Sequence, residues 1–273
     1  MRYRTLGATG LRVSEVGYGG GRVRGDADPA AVTHMLHHAF DLGLNYIDTA
    51  PSYGGGLSET LIGQAIAGKG DGLVIATKTK SRDPREIPAE VDGSLKRLGV
   101  EAIDLLQFHG GYIPDDDASA ILDGGGVDAY RRLRDDGKVR YLGFSTDGPS
   151  GGAERLIASG AFDMIQVNYS LMYQSTHDMF GDTGLIPSAD AQGMGVVLMR
   201  STTSGVFPRL MRRSFPKELA GIDLDAFLLN YVLSNPLVDC ALMSLGSDAD
   251  ATWTNAVSDD VDGRLDLRAL HRG

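Results

Sequence analysis

The chain of 273 residues has one cysteine, one tryptophan and no apolar run near the ~18 residues of a membrane span. Each scarcity excludes something. Cys240 has no second thiol to pair with, and its context Leu237-Val238-Asp239-Cys240-Ala241-Leu242 reads as a buried, inert core position in a reducing compartment. The opening Met1-Arg2-Tyr3-Arg4-Thr5-Leu6-Gly7 lacks the apolar h-region of a secretory signal. Cytoplasmic localisation is the expectation. Basic residues are also short: 26 Lys and Arg face 36 Asp and Glu, and a net charge of −10 argues against a nucleic-acid surface. No Pro/Ser-rich linker, composition shift or internal repeat divides the sequence, so residues 1–273 read as one domain. With 42% hydrophobic residues and this length, it can bury a core without disulfide or metal staples.

What is present is alternation. Short apolar runs lie at Val13–Gly19, Asn45–Thr49, Leu73–Thr79, Ile103–His109, Val139–Ser145, Met164–Ser170, Val196–Arg200 and Cys240–Leu245. Between and after them, helical periodicity covers Pro29–Leu42, Ser58–Ala67, Arg85–Leu98, Val127–Asp136, Gly151–Ser159, Ile186–Gln192, Leu224–Leu233 and Asp248–Val257. Gly43, Gly99 and Gly137 suit helix C-terminal positions, while Ser58 and Asp223 suit N-caps. Eight βα units in strict order predict an α/β fold of the (β/α)₈ TIM-barrel class. An open doubly wound sheet is the alternative. Its glycine fingerprint fails here, because Gly17-Tyr18-Gly19-Gly20-Gly21-Arg22 ends in arginine and no helix follows directly. Segments Arg2–Thr5 and Leu11–Val13, flanking Gly7–Gly10, predict a short N-terminal hairpin over the barrel floor.

In such barrels the chemistry gathers at the C-terminal ends of the strands. Strand two ends in Asp48, with Tyr53 in the loop before Gly54-Gly55-Gly56; strand three carries Lys78; strand four ends in His109. An acid, a phenol, an ammonium and an imidazole therefore come from consecutive strands to one mouth. Asp48 would hold Lys78 charged, and Lys78 would favour the phenolate of Tyr53, making it a usable acid near neutral pH. His109 would orient a carbonyl oxygen. The set suits an oxygen that becomes an alkoxide as hydride reaches its carbon.

With those four residues, the sequence resembles the aldo-keto reductases, which share a (β/α)₈ barrel and an Asp-Tyr-Lys-His tetrad. The likeness runs nearly end to end. It takes in Tyr3-Arg4-Thr5-Leu6-Gly7, Leu57-Ser58-Glu59, Gly143-Phe144-Ser145, Gln166-Val167-Asn168-Tyr169 and Gly193-Met194-Gly195-Val196-Val197. The glycine-rich run before Leu57 looks most like the branch of aldose and galactose dehydrogenases. The resemblance implies a nicotinamide cofactor, NADP(H) or NAD(H), extended across the mouth. Ser145 and Gln166 would hold its carboxamide. Thr146 stands where many relatives carry Asn, and Met199 where many stack an aromatic ring, with Arg200 and Ser201 next. A small carbonyl or alcohol is the implied substrate, with no membrane or nucleic-acid partner.

The adenosine end departs from the family pattern. Relatives bind it after strand eight, usually with Lys or Arg on the 2′-phosphate. Here Ser244, Gly246, Ser247 and Asn255 are the candidate contacts, Asp248 and Asp250 are acidic, and no Lys or Arg occurs between Lys217 and Arg264. The expectation is that NAD(H) is tolerated or preferred, or that dinucleotide binding is weak. Arg212 and Arg213 would rescue the phosphate only if the loop after strand seven folds over it. Other features carry less. His34, His37 and His38 read as a solvated helix face, Asp115-Asp116-Asp117 as a solvated loop, and Gly124-Gly125-Gly126 as a flexible connection. Ser145 lacks the G-x-S-x-G setting of a hydrolase nucleophile. Two further readings stand beside the reductase: a non-catalytic cofactor-binding sensor or partner subunit, and an enzyme run as a sugar dehydrogenase.

Overall fold

The computed structural model describes residues 1–69 and 72–272. Two short strands come first, β1 (Tyr3–Thr5) and β2 (Arg12–Ser14), antiparallel with Arg4 opposite Val13. Eight parallel strands follow: β3 (Val16–Gly19), β4 (Tyr46–Asp48), β5 (Val74–Thr79), β6 (Ile103–Phe108), β7 (Val139–Thr146), β8 (Met164–Asn168), β9 (Gly195–Met199) and β10 (Cys240–Met243). They close as β10-β3-β4-β5-β6-β7-β8-β9. The barrel and the hairpin expected from sequence are both there.

The eight expected helices form as α1 (Pro29–Asp41), α2 (Leu57–Ile66), α3 (Ile87–Leu98), α5 (Gly126–Asp135), α6 (Gly151–Ala158), α7 (Leu185–Ala191), α9 (Leu224–Leu233) and α10 (Asp248–Asp259). Three more appear: α4 (Asp115–Leu122), α8 (Val206–Ser214) and α11 (Leu267–Arg272). The acidic run Asp115-Asp116-Asp117 is therefore the first turn of α4, where carboxylates suit a helix N-terminus, and not a loop. Gly125, at φ 89, makes a tight turn into α5 rather than a flexible link.

Two smaller expectations also change. The first apolar run splits at Glu15, whose buried carboxylate pairs with Arg4 at 3.1 Å and with Arg264, pinning the chain where it passes from hairpin to barrel. Ser58 is not an N-cap. Helix α2 begins at Leu57 after Gly56, at φ 96, and the buried Ser58 hydroxyl donates to the Gly20 carbonyl while accepting from Thr49. Asp223 does cap α9, accepting from the Ala226 N–H.

Period-2 alternation decides which side chains enter the barrel. An inner apolar cluster contains Tyr46, Ala76, Leu105, Met164, Val197, Cys240 and Leu242. Two residues further along their strands, the same parity delivers Asp48, Lys78, Gln107, Gln166, Met199 and Ser244 to the C-terminal end of the barrel. A larger cluster fills the space between barrel and helices. The hairpin closes the floor. Gly7, at φ 46, lies so close that an added Cβ would sit 2.3 Å from the Gly195 nitrogen, and Tyr141 donates to the Thr9 carbonyl at 2.7 Å.

Candidate active site

Lys78 is the most buried charged group of the site, 1% exposed, and its ammonium donates to both oxygens of Asp48 at 2.6 Å. A third bond, 2.9 Å, reaches the Thr49 carbonyl. A buried ammonium left without partners would be strongly disfavoured, so this geometry keeps the pair in place. Burial pushes the Asp48 carboxyl above the ordinary carboxylate value, and the Lys78 ammonium opposes that shift. Gln107 completes the group, donating to Asp48 at 3.1 Å. Sequence reasoning passed over Gln107, although its place two residues before His109 on the same inward parity was the signal.

Tyr53 stands on a short 3₁₀ turn, Tyr53–Gly56, that two left-handed glycines, Gly54 and Gly55, allow to fold back over the barrel mouth. The Lys78 ammonium is 5.0 Å from its ring centroid. The ring of His109 meets it edge-on, with centroids 5.7 Å apart and planes at 86°. Burial raises the Tyr53 pKa from its ordinary value and Lys78 pulls the other way. Burial is the larger effect, so Tyr53 is held protonated, with Lys78 opposing the rise. His109 is pushed down to about 4 by burial first and then by Lys78, Lys80 and Arg82. At neutral pH it is an uncharged imidazole. Its Nδ1 is buried without a partner, and Arg82 donates to its backbone carbonyl at 3.2 Å.

These residues open into a cleft of about 750 Å³. Asp48, Tyr53, His109, Ser145, Gln166, Met199, Arg200 and Ser244 all line it. Ser145 and Gln166 are adjacent in the β7–β8 register. The Gln166 amide nitrogen lies 3.8 Å from the Met199 sulfur, and its Oε1 is buried without a partner. An unpaired buried amide oxygen facing a cleft is a place for a ligand's N–H. Thr146 does not take part: its hydroxyl donates to the Gly148 carbonyl at 2.9 Å. The loop after β9 is tightly wound, with Arg200, Thr203 and Ser204 all in the left-handed region. Such strain in non-glycine residues gathers at functional sites. Arg22, from the loop after β3, bonds the Ser204 carbonyl at 2.9 Å and ties the two sides of the mouth together.

The far end is different. A second cavity of about 440 Å³ shares Gly19, Arg22 and Ser244 with the first and adds Arg24, Leu245, Gly246 and Asp250. The Gly246 N–H donates to the Asp250 carboxylate at 2.9 Å, so an acid already occupies that donor at the start of α10. Ser247 caps the same helix, and neither it nor Asn255 lines either cavity. Asn255 donates to Asp259 at 3.2 Å, and its Oδ1 is buried and unpaired. Arg212 and Arg213 lie on α8, outside both cavities, with Arg212 bound to Asp225 at 2.8 Å. The arginines beside the second cavity are Arg22 and Arg24. Their place in the loop after the first barrel strand, more than 200 residues before Gly246, hides them from a reading of the loops after strands seven and eight. His34 and His38 do not simply face solvent: they bond Asp248 at 3.1 Å and Thr252 at 2.9 Å, joining α1 to α10.

The sequence matches the family described as "Aldo/keto reductase family" over residues 15–250. The chain belongs to that family. Among curated relatives, "Aldo-keto reductase YhdN" of Bacillus subtilis is 34% identical over 163 residues, 53% of this chain and 47% of the relative. "L-galactose dehydrogenase" of Arabidopsis thaliana is 33% identical over 160 residues, 53% of this chain and 48% of that protein. The chain thus spans about half the length of these curated relatives. A longer match, 26% identical over 247 residues, covers 79% of this chain and 72% of the "NADH-specific methylglyoxal reductase" of Escherichia coli. The fold is also that of a solved aldo-keto reductase from Bacillus halodurans, with TM-score 0.79, 24% identity and coverage of 98% and 93% of the two chains. An aldo/keto reductase from Klebsiella pneumoniae, solved with NADP and acetate, superposes with TM-score 0.79 at 22% identity, covering 100% of this chain and 94% of that one. Among the described residues, no helix is long and apolar enough to cross a membrane.

Proposed function

We propose that the protein is a nicotinamide-dependent oxidoreductase that interconverts a small carbonyl compound and its alcohol. The observation that carries this reading is the buried Lys78–Asp48 pair, 2.6 Å apart, set beneath Tyr53 and beside a neutral His109. The nicotinamide, when bound, supplies or accepts the hydride. The protein's own residues handle the oxygen. Tyr53 gives its phenolic proton to the carbonyl oxygen in reduction and takes it back in oxidation. Lys78 stabilises the phenolate that Tyr53 leaves behind, and Asp48, held by Gln107, keeps the ammonium in register. His109 donates a ring N–H to the same oxygen, so two donors share the developing charge. Ser145 and the unpaired Gln166 Oε1 suit a carboxamide, and Met199 offers a thioether face to a flat ring.

For the cofactor's identity we infer a preference for NAD(H). Asp250 on the Gly246 N–H, with Asp248 in the same first turn of α10, is a poor setting for a 2′-phosphate. The NADH-specific name of the Escherichia coli relative points the same way. The occupied donor also favours, by itself, a sensor or partner subunit with weak cofactor affinity. One panel separates the readings: aldehydes, ketones and sugars assayed with NADH, NADPH, NAD⁺ and NADP⁺, alongside cofactor titrations followed by the fluorescence of Trp253. Turnover with tighter NAD(H) binding is expected. Absence of turnover with measurable binding would favour the non-catalytic subunit, and clearly tighter NADP(H) binding would overturn the cofactor assignment.

A further inference from the structure

The cations around the catalytic cleft are almost all engaged. Lys78 is bound to Asp48 at 2.6 Å, Arg82 to Asp117 at 2.8 Å, and Arg200 to Asp147 at 3.0 Å. Arg22 enters no ion pair among the described residues, but its guanidinium donates to the Ser204 carbonyl at 2.9 Å. Lys80 is the exception. It lines the cleft, and its backbone N–H is held by Glu90 at 3.2 Å, but among the described residues its ammonium enters neither an ion pair nor a hydrogen bond. In a chain of net charge −10, an ammonium left unengaged in the cleft that holds Tyr53 and His109 is free to meet an anion.

The barrel order says what that cation faces. Ser145, Gln166 and Met199, the residues suited to a nicotinamide, stand on β7, β8 and β9. The route onward to the adenosine end passes the loops after β9 and β10. Lys80 follows β5, three strands back around the ring from β8 and next to β6, which leads into His109. It therefore flanks the place of the substrate oxygen from the side away from the dinucleotide. Its field at His109 is one of the influences keeping that imidazole neutral. A substrate whose carbonyl oxygen lies between Tyr53 and His109 would extend its remaining atoms toward Lys80 and the cleft's open rim.

We propose that the substrate carries an anionic group, a carboxylate or a phosphate, and that Lys80 is the residue that reads it. This rests on the oxidoreductase reading of the same site. Lys80 makes no contact with the reacting atoms and acts on specificity, by stabilising the bound anion and by drawing it into the mouth from solution.

The test compares substrates matched except for charge. One pair is 4-oxobutanoate and its methyl ester; a second, glyceraldehyde 3-phosphate and glyceraldehyde, asks whether phosphate or carboxylate is the better anion. The wild-type protein is expected to favour the charged member of at least one pair by about tenfold or more in kcat/KM, a preference that shrinks as ionic strength rises. Lys80→Met should raise KM for the charged substrate about tenfold more than for its neutral partner, and Lys80→Arg should restore the preference. Equal kcat/KM within both pairs, or a Lys80→Met loss that falls equally on charged and neutral substrates, would overturn the role of Lys80 and leave the oxidoreductase standing. No turnover of any carbonyl with either cofactor would overturn the oxidoreductase reading and this proposal with it.

Discussion

At the scale of single residues, the site is an exercise in placing charge where water is scarce. Lys78 and Asp48 are buried together, and their mutual bonds offset a desolvation that neither would tolerate alone. His109 shows the other outcome, since it meets only cations and burial and so stays neutral. That has a consequence for stability. A histidine whose pKa is about 4 when folded and near 6.5 when unfolded binds fewer protons in the folded state between those values. Its contribution is therefore present above pH 6.5 and lost as pH falls toward 4. Thermal melts of wild type and His109→Gln across this window should converge as the pH drops, because the variant lacks the titration. Parallel curves would contradict the assignment. Asp48, Tyr53, Lys78 and His109 were legible in the sequence because each ends, or closely follows, a recognisable strand. Gln107 was harder to see, since an inward glutamine below the site carries no chemistry of its own.

At the scale of elements, the alternation of short apolar runs with longer helical stretches did most of the predictive work. All eight barrel strands were readable as short apolar runs. The helices that escaped notice had weak reasons to look helical. Helix α4 buries only Ala118 and Ile121 behind an acidic first turn, and α8 buries only Pro208 while Val206 and Leu210 remain exposed. A helix with so few buried positions has little apolar stripe to display. Ser58 was misread for a related reason: a polar residue before an apolar run resembles a cap, yet here its hydroxyl joins α2 to the loops after β3 and β4. The hairpin element offers a clean test. Gly7 has φ 46 and no space for a Cβ against the Gly193–Gly195 backbone. Gly7→Ala should destabilise by at least ~2 kcal/mol, lowering the melting temperature by several degrees. Gly10→Ala, also at positive φ but in open space, should cost less. Equal costs would mean the floor contact is not tight.

At the scale of the whole molecule, the barrel gathers groups that are far apart in sequence and sorts them by position around the ring. The proposed proton-transfer residues come from β4, β5 and β6 and the loops that follow them, and the candidate cofactor contacts from β7, β8, β9 and the loop after β10. The sequence could announce the first arc through its unusual residue types. The second arc needed the fold, because Ser145, Gln166 and Met199 are ordinary residues until they share a wall. The proposed adenosine end carries arginines as well as acids, since Arg22 and Arg24 line the second cavity from the opposite end of the chain. In the proposed reaction this ring works as one catalyst, with Tyr53 as its acid and base. The most direct measurement is turnover of wild type and Tyr53→Phe on the best substrate of the panel, with cofactor affinity titrated in parallel. The account predicts a loss of kcat of about 10²-fold or more, the range expected for a positioned proton donor, with cofactor affinity retained. Turnover by Tyr53→Phe at the wild-type rate would contradict it.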